Sequence, residues 1–126
     1  MTEEALMDKH RNIFDNMVDK RFMFEIECGA GWFGILDNLL TSIEAILKDS
    51  QDTFELQQIK EKFGTLRFYA DFSNDKISDL IHEAECLSRT TCEKCGSPEG
   101  KLQKTTGYWY FTICNQCNKS ATTKNI

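Results

Sequence analysis

Two pairs of cysteines near the end of the chain have the spacing of a metal site. The stretch TCEKCGSPEGKLQKTTGYWYFTICNQC contains two CxxC pairs: Cys92 with Cys95, and Cys114 with Cys117. Each pair can place two sulfurs on one ion, and residues 96–113 are long enough to form a β-hairpin that joins the pairs. Four thiolates leave no open coordination position, which is typical of a structural zinc ion and not of a catalytic one. We therefore predict a zinc ribbon, with an iron site of the same ligands or a redox dithiol as alternatives.

The predicted hairpin would carry four consecutive aromatic residues: Tyr108, Trp109, Tyr110 and Phe111. Successive side chains of a strand point to opposite faces, so the two tyrosines share one face, while the tryptophan and the phenylalanine share the other. Beside Lys101 and Lys104, an exposed aromatic face could stack nucleic-acid bases or bind side chains of a protein partner. The alternative is that both faces are covered where the ribbon contacts the rest of the chain.

Cys28, in IECGAGW, is the candidate for a reactive thiol outside the metal site. It lies between a predicted strand and a predicted helix, and a helix N-terminus lowers the pKa of a nearby thiol. No histidine is near it in the sequence, and a buried cysteine is commonly an unreactive apolar side chain. A catalytic Cys28 is therefore the minor alternative. His10 and His82 fall beside the apolar faces of helices, where hydrogen-bonded structural histidines are expected, and Cys86 is expected to have a packing role only.

A third candidate site is the basic and aromatic segment KEKFGTLRFY. It places three basic residues around one turn, next to Tyr69 on the outward face of a strand: Lys60, Lys62 and Arg67. Such a cluster could bind a phosphate or a carboxylate, with Arg67 as the main contact. The alternative is that Arg67 pairs with a carboxylate of the same two strands, either Glu61 or Asp71.

Hydrophobic periodicity predicts the elements that position these residues. Apolar residues recur at helical spacing in three segments, 3–19, 32–49 and 73–88. Alternation of apolar and polar residues predicts a strand at 21–28 and a hairpin at 53–72, with Gly64 in its turn. The order αβαββα favours an α+β fold, in which a three-stranded antiparallel sheet is packed with helices and followed by the zinc-ribbon hairpin.

Length and charge predict one compact domain with a small appendage. The 126 residues divide into a body at 1–88, a zinc ribbon at 89–120 and a flexible tail at 121–126. The net charge of −5 is unevenly distributed, since residues 1–87 contain 9 basic and 18 acidic residues, whereas residues 88–126 contain 6 and 2. An acidic body could occupy a basic site on a partner, and a basic ribbon could contact a polyanion.

The N-terminus and the apolar content predict a cytoplasmic location. The first residues, MTEEALMDKHR, are acidic and amphipathic, unlike a signal peptide, and no apolar run approaches the roughly 18 residues of a membrane helix. In such a compartment six cysteines are expected to stay reduced, so disulfides are the minor alternative. If a phage encodes the protein, the compartment is the host cytoplasm.

Four segments together resemble a functionally uncharacterised family of small bacterial, phage and prophage proteins: CGAGWFGILDNL, IKEKFGTLRFYADF, IHEAECLSRTTCEKCG and GYWYFTICNQC. That family combines a CGxGW helix start, a KFGxLRFY strand and a C-terminal CxxCG…CxxC zinc ribbon. The likeness spans Cys28 to Cys117, and Thr65 departs from it where relatives often have a second glycine. The resemblance implies a mobile-element or phage accessory role and carries over no catalytic residue.

We therefore expect a non-enzymatic, zinc-stabilised adaptor or inhibitor that binds a protein, such as a nucleic-acid-binding complex of a host or a host defence system. One alternative is a nucleic-acid-binding regulator that uses the basic aromatic ribbon, and another is a thiol enzyme centred on Cys28. No membrane contact is expected. The residues predicted to contact a partner are Arg67, Tyr69, Lys101, Lys104, Tyr108, Trp109 and Tyr110.

Overall fold

The computed structural model describes residues 1–15, 26–105 and 109–123. Helices and strands alternate along these ranges, and a short 3₁₀ turn at Ala30–Trp32 precedes the longest helix. The elements are α1 Glu3–Lys9, α2 Arg11–Phe14, α3 Phe33–Leu47, β1 Phe54–Lys62, β2 Thr65–Phe72, α4 Asp75–Ser88, β3 Lys101–Lys104, β4 Tyr110–Ile113 and α5 Asn115–Thr123. Within the described ranges, every helix is too short or too polar to span a bilayer.

The centre of the core is α3, as its apolar stripe predicted. The 15 residues of this helix bury one broad face: Phe33, Leu36, Leu39, Leu40 and Ile43. These side chains belong to one cluster with buried residues from α1, α2, α4 and both strands of the hairpin. Burying a leucine or isoleucine side chain stabilises the folded state by about 1.5–3 kcal/mol relative to exposing it, so this cluster dominates the stability of the body.

The predicted helix at 3–19 is two helices within the described residues. The first, α1, is capped by the Thr2 hydroxyl, which accepts a hydrogen bond of 3.1 Å from the Ala5 amide. It ends at His10, whose φ of −112° and ψ of 35° are not helical, and α2 follows at once. The break directs the His10 side chain towards α3, where carboxylates bind its ring. Residues 16–19 of the predicted helix lie outside the described ranges.

The hairpin predicted at 53–72 is confirmed as β1 and β2. Phe63 and Gly64 form its two-residue turn with φ values of +55° and +77°, and a type I′ turn requires both to be positive. Across the strands, Ile59 lies opposite Phe68. Leu66 and Phe68 are buried, so their side of the second strand faces the core.

The prediction of a three-stranded antiparallel sheet was wrong. In the described residues β1–β2 and β3–β4 form two separate two-stranded sheets. Of the residues that the structure describes, Glu27 extends the first sheet: its N–H donates to the Ile59 carbonyl at 3.0 Å and its carbonyl accepts from the Glu61 amide at 2.9 Å. This bridge is parallel. Alternation of side chains does not distinguish parallel from antiparallel pairing. Residues 21–25, most of the predicted strand, lie outside the described ranges.

Side chains of α4 cover the edge of β2 that faces away from β1. The Ser88 hydroxyl accepts from the Leu66 amide at 2.9 Å, and the Glu85 carboxylate accepts from the Phe68 amide at 3.0 Å. These bonds satisfy backbone groups that an edge strand would otherwise expose. The predicted apolar face of α4 is buried at Ile77, Ile81 and Ala84, but Leu87 is exposed.

The ribbon hairpin is formed by β3 and β4, as predicted, and residues 106–108 between the strands lie outside the described ranges. Leu102 is opposite Thr112, and Lys104 is opposite Tyr110. The final helix, α5, starts directly after Cys114 and contains Cys117, and the sequence did not predict it. Its residues, NQCNKSATT, lack the apolar periodicity that indicates a helix.

Candidate metal centre

The four cysteines of the two CxxC pairs converge on one point, as their spacing predicted. Their sulfur atoms all lie within 4.8 Å of one another, and the Cys95 and Cys114 sulfurs are 3.8 Å apart. A tetrahedral zinc site with Zn–S bonds of about 2.3 Å places its sulfurs about 3.8 Å apart. All six cysteines of the chain are free of disulfides. The donor set and its spacing therefore fit a metal ion.

Backbone hydrogen bonds position the thiols. Gly96, with a φ of +83°, turns the chain after the first pair and donates from its N–H to the Cys92 carbonyl at 2.8 Å. Burial disfavours the Cys92 thiolate, but backbone N–H groups, first that of Cys114, outweigh burial and lower the pKa of Cys92 to about 6. Desolvation and the neighbouring cysteines raise the pKa of Cys117 to about 12. A cation at the centre favours the thiolate form of all four groups.

The first cysteine pair contacts the loop that precedes α3. The Gly31 amide donates to the Glu93 carbonyl at 2.7 Å, and the Gly29 amide donates to the Glu93 carboxylate at 2.8 Å. A Cβ atom on Gly31 would lie closer than 3.0 Å to backbone atoms of Cys92 and Glu93. The GAG and CEKC segments therefore fit against each other only because no side chain separates them.

Trp32 links the metal site to the hydrophobic core. Its ring is fully buried within the core cluster, and its Nε1–H donates to the Thr91 carbonyl at 2.8 Å. A buried indole N–H needs such an acceptor. Because Thr91 directly precedes Cys92, the tryptophan couples the position of the first cysteine pair to the packing of the body.

The ribbon also contacts the tip of the body hairpin. The Thr112 hydroxyl donates to the Gly64 carbonyl, and a Cβ atom on Gly64 would lie 2.5 Å from Cδ1 of Leu102. Thr112 is buried, so this contact excludes water from the base of β4. Two loops of the body thus hold the ribbon, one at the cysteine pair and one at the strands.

The aromatic end of the ribbon is left uncovered by these contacts. Trp109 is 72% exposed and Tyr110 is 54% exposed, whereas Phe111 packs against the buried cluster around Cys92 and Ile113. Tyr108 lies outside the described residues. Lys101 and Lys104 are exposed on β3. The ribbon therefore presents Trp109, Tyr110 and Lys104 at the end away from the cysteines, whereas Lys101 lies opposite Ile113 near them.

Arg67 and Tyr69 lie on the outward face of β2. Neither carboxylate considered as a partner for Arg67 pairs with it: Glu61 accepts from the Gly64 amide at 2.7 Å, and Asp71 accepts from the Gln57 side chain at 2.8 Å. Arg67 is instead opposite Lys60, and its buried Nε has no hydrogen-bond partner. Like charges directly opposite each other destabilise a strand pair, but Glu27 lies opposite Lys60 on its other side and offsets part of this charge.

Cys28 is half-buried and surrounded by carboxylates. Burial first, and then the charges of Glu93, Glu3 and Glu61, raise the pKa of the thiol to about 12. The surroundings of Cys28 therefore raise its pKa, whereas the expectation for a thiol beside a helix start was a lowered pKa. Burial also raises the pKa of Glu93, an effect that the Gly29 amide opposes.

His10 has the structural role predicted for it. It is buried, with Nε2 at 2.7 Å from an Asp37 oxygen and Nδ1 against the Glu44 carboxylate. A doubly protonated ring can donate to both groups. Hydrogen bonds from His10 and then from Lys9 hold the pKa of Asp37 below its usual range. The histidine therefore connects the end of α1 to α3.

His82 differs from its predicted role because it is exposed. Its Nε2 lies 3.6 Å from the sulfur of Cys86, which is also exposed, one turn further along α4. The i,i+4 spacing of the two residues is the signal that could have identified the pair, since such residues are neighbours on a helix.

Comparisons with protein-family models, with curated proteins and with solved structures find no match to this chain. The cysteine site and the exposed surfaces are therefore the basis for inferring its function.

Proposed function

We propose that this protein is a non-enzymatic, zinc-stabilised module that binds another protein as an adaptor or inhibitor. Zinc is the proposed ion because four thiolates at tetrahedral spacing are its usual structural ligand set. A site filled by four cysteines has no position for a substrate or a reactive water. The ion would instead hold the ribbon in the shape that the Gly31 and Trp32 contacts require.

The exposed aromatic end of the ribbon is the observation that carries this proposal. Trp109 and Tyr110 are 72% and 54% exposed on a hairpin whose base is fixed to the body. Tryptophan and tyrosine are the residue types that most often dominate the binding energy of protein interfaces. Because the base of the hairpin is already ordered, a partner would lose little affinity to ordering it.

The acidic body supports a particular class of partner. Residues 1–87 contain 18 acidic and 9 basic residues, and such a surface can occupy a basic site built for nucleic acid. The resemblance to phage and prophage proteins supports an accessory role that acts on a host system, including a defence system. The proposed setting is the host cytoplasm, and the proposed partner is a nucleic-acid-binding protein or complex.

Affinity capture from a host lysate, with and without nuclease, tests the proposal. We expect the tagged protein to retain a discrete protein after nuclease treatment, and the double variant Trp109→Ala, Tyr110→Ala to lose it. Leu87→Ala is the matched control, because Leu87 is an exposed apolar side chain on α4. Capture that depends on nucleic acid, or that survives the double variant unchanged, would contradict the proposal.

The lysines of β3 favour a second candidate function, binding of single-stranded nucleic acid. Lys101 and Lys104 are exposed on the strand next to the exposed aromatic residues, so phosphates and bases could both find contacts. This function predicts a steep loss of affinity for a labelled oligonucleotide as salt is added. If the protein does not bind the oligonucleotide even at low salt, this second candidate function is rejected.

A further inference from the structure

We propose that the tip of the β1–β2 hairpin and the ribbon side chains beside it form a docking surface for a protein segment that carries an apolar side chain next to carboxylates. This inference rests on the proposed protein-binding function and specifies its surface and the chemistry of its partner. The surface, called the tip surface below, consists of Lys60, Lys62, Phe63, Arg67, Leu102 and Tyr110.

Phe63 is the central observation. Its side chain is 77% exposed, although its φ is +55°, in the left-handed region. Type I′ turns prefer asparagine, aspartate or glycine at this position, and a bulky residue there is strained. Among the described residues, the ring gains little burial. The backbone strain at Phe63 is therefore not offset by burial of its ring, and an uncompensated strained residue of this kind points to a role outside the fold.

The turn that presents Phe63 is held on both sides. The Gly64 amide donates to the Glu61 carboxylate at 2.7 Å, and the Gly64 carbonyl accepts from the Thr112 hydroxyl. Leu102 lies against the same glycine, since a Cβ on Gly64 would be 2.5 Å from its Cδ1. Strained residues persist only where their surroundings fix them, and a turn whose backbone is already fixed loses little entropy on binding.

The ribbon adds apolar area beside this ring. Leu102 is opposite Thr112 and Lys104 is opposite Tyr110, so Leu102 and Tyr110 share the face of the ribbon that contacts Gly64. Leu102 is 57% exposed and Tyr110 is 54% exposed. Exposed apolar side chains grouped on one side of a molecule mark an interaction site, in contrast to scattered single ones.

Three basic residues lie on the strands next to the turn that carries Phe63. The Lys62 ammonium is 5.7 Å from the centre of the Phe63 ring, and Lys60 is directly opposite Arg67. The Arg67 Nε is buried without a hydrogen-bond partner. Glu27 lies opposite Lys60 across the parallel bridge, so among the described residues Arg67 is the cation of this pair that lacks a carboxylate opposite it on a neighbouring strand. A carboxylate from a partner could bind the terminal nitrogens of its guanidinium.

The charge distribution favours a short protein segment over a nucleic-acid strand. A strand carries a phosphate at every nucleotide, and a strand that ran along the hairpin would pass from its basic tip to its acidic far end. On the hairpin itself, Glu55 and Asp71 are already opposite each other towards its far end. A protein segment with one or two carboxylates beside an apolar side chain could contact the basic residues at the tip without reaching Glu55 and Asp71. Leu102, an aliphatic residue, packs against side chains but does not stack bases.

Selection of displayed random peptides on the immobilised, zinc-loaded full-length protein tests the tip surface. Phe63→Asn is the counter-selection variant, because asparagine suits a positive φ and the variant should melt at the same temperature or higher. We expect enriched peptides to carry a large apolar residue beside aspartate or glutamate. They should bind Phe63→Asn at least about tenfold more weakly and Arg67→Gln several-fold more weakly. Leu87→Asn, the matched control on α4, should bind them as the wild type does.

Three outcomes would overturn the inference, and they separate it from the proposed function. Enriched peptides that bind Phe63→Asn as tightly as wild type would reject the tip surface and leave protein binding intact. An oligothymidylate that binds wild type more tightly than any selected peptide, and loses affinity in Phe63→Asn, would reject both the protein segment and the proposed function. A folded protein that enriches no peptide and binds no oligonucleotide would reject the tip surface as a docking site.

Discussion

The amide of Gly31 donates a hydrogen bond of 2.7 Å to the carbonyl of Glu93, and this bond joins the start of α3 to the first cysteine pair. The two segments are far apart in the sequence, yet the space between them does not admit a methyl group. The hydrophobic core of the body and the metal site are therefore in direct backbone contact. Changes on either side of this contact are expected to affect both.

Gly31→Ala should lower the free energy of unfolding by about 1–3 kcal/mol or more, because its Cβ would overlap the backbone of Cys92 and Glu93. Gly34→Ala, in the first turn of α3, is the matched control, since no atom lies within 4 Å of the Cβ it adds. That substitution should raise the free energy of unfolding by up to about 1 kcal/mol through higher helix propensity. Urea denaturation measures both, and equal effects would refute the proposed close contact.

Removing the metal should perturb the body as well as the ribbon. Chelation, or Cys114→Ser, is expected to lower the melting temperature and shift the emission of Trp32 to longer wavelength, because its Nε1 bonds to Thr91 beside the site. The measurement is best made in a Trp109→Phe background, which leaves Trp32 as the remaining tryptophan. Cys86→Ser, an exposed cysteine on α4, is the control and should change neither quantity. Unchanged Trp32 emission after complete metal loss would show that the two parts are uncoupled.

Asp37 should stabilise the fold in a pH-dependent manner. Hydrogen bonds from His10 and Lys9 lower its folded-state pKa, so its contribution is present above the unfolded value of about 3.9 and is lost as pH falls through the folded value. Asp37→Asn should therefore be less stable than wild type near neutral pH, and the difference should disappear in strong acid. Urea denaturation across this pH range measures the effect. Asp8→Asn, which removes an exposed i,i+3 pair with Arg11, should change stability by less than about 1 kcal/mol.

Alkylation should discriminate between the cysteines of the metal-loaded protein. Cys86 is exposed and should react first with iodoacetamide at neutral pH, whereas Cys28 should react slowly because its pKa is raised to about 12. The four cysteines of the metal site should be protected while the ion is bound. Mass spectrometry of digested samples over time gives the order. Rapid modification of Cys28 would instead support the thiol-enzyme alternative.

Local patterns in the sequence predicted much of this structure. The stripe from Trp32 to Leu47 predicted α3 because its period of apolar residues matches that of a helix packed on one side. The positive φ of Gly64 followed from the turn that two alternating segments require. The cluster of four cysteines was predictable because CxxC spacing is itself local, so that only the hairpin had to bring the two pairs together.

The remaining features depend on contacts between distant segments. The fit of the GAG loop to Glu93 joins residues 64 positions apart, and nothing in either segment alone specifies it. The parallel bridge at Glu27 depends on chain direction, which alternation does not encode. Phe63 appeared in the sequence as an ordinary residue of a turn. Its exposure and its backbone strain are visible only once the hairpin is built.

The hydrogen bonds around the β1–β2 hairpin have a consequence for how the protein can associate. Ser88 and Glu85 accept from the N–H groups of Leu66 and Phe68 on one edge, and Glu27 engages Ile59 and Glu61 on the other. A strand from a second molecule would have to displace these bonds before it could join the sheet. The hairpin is thereby protected against strand addition and amyloid-like stacking.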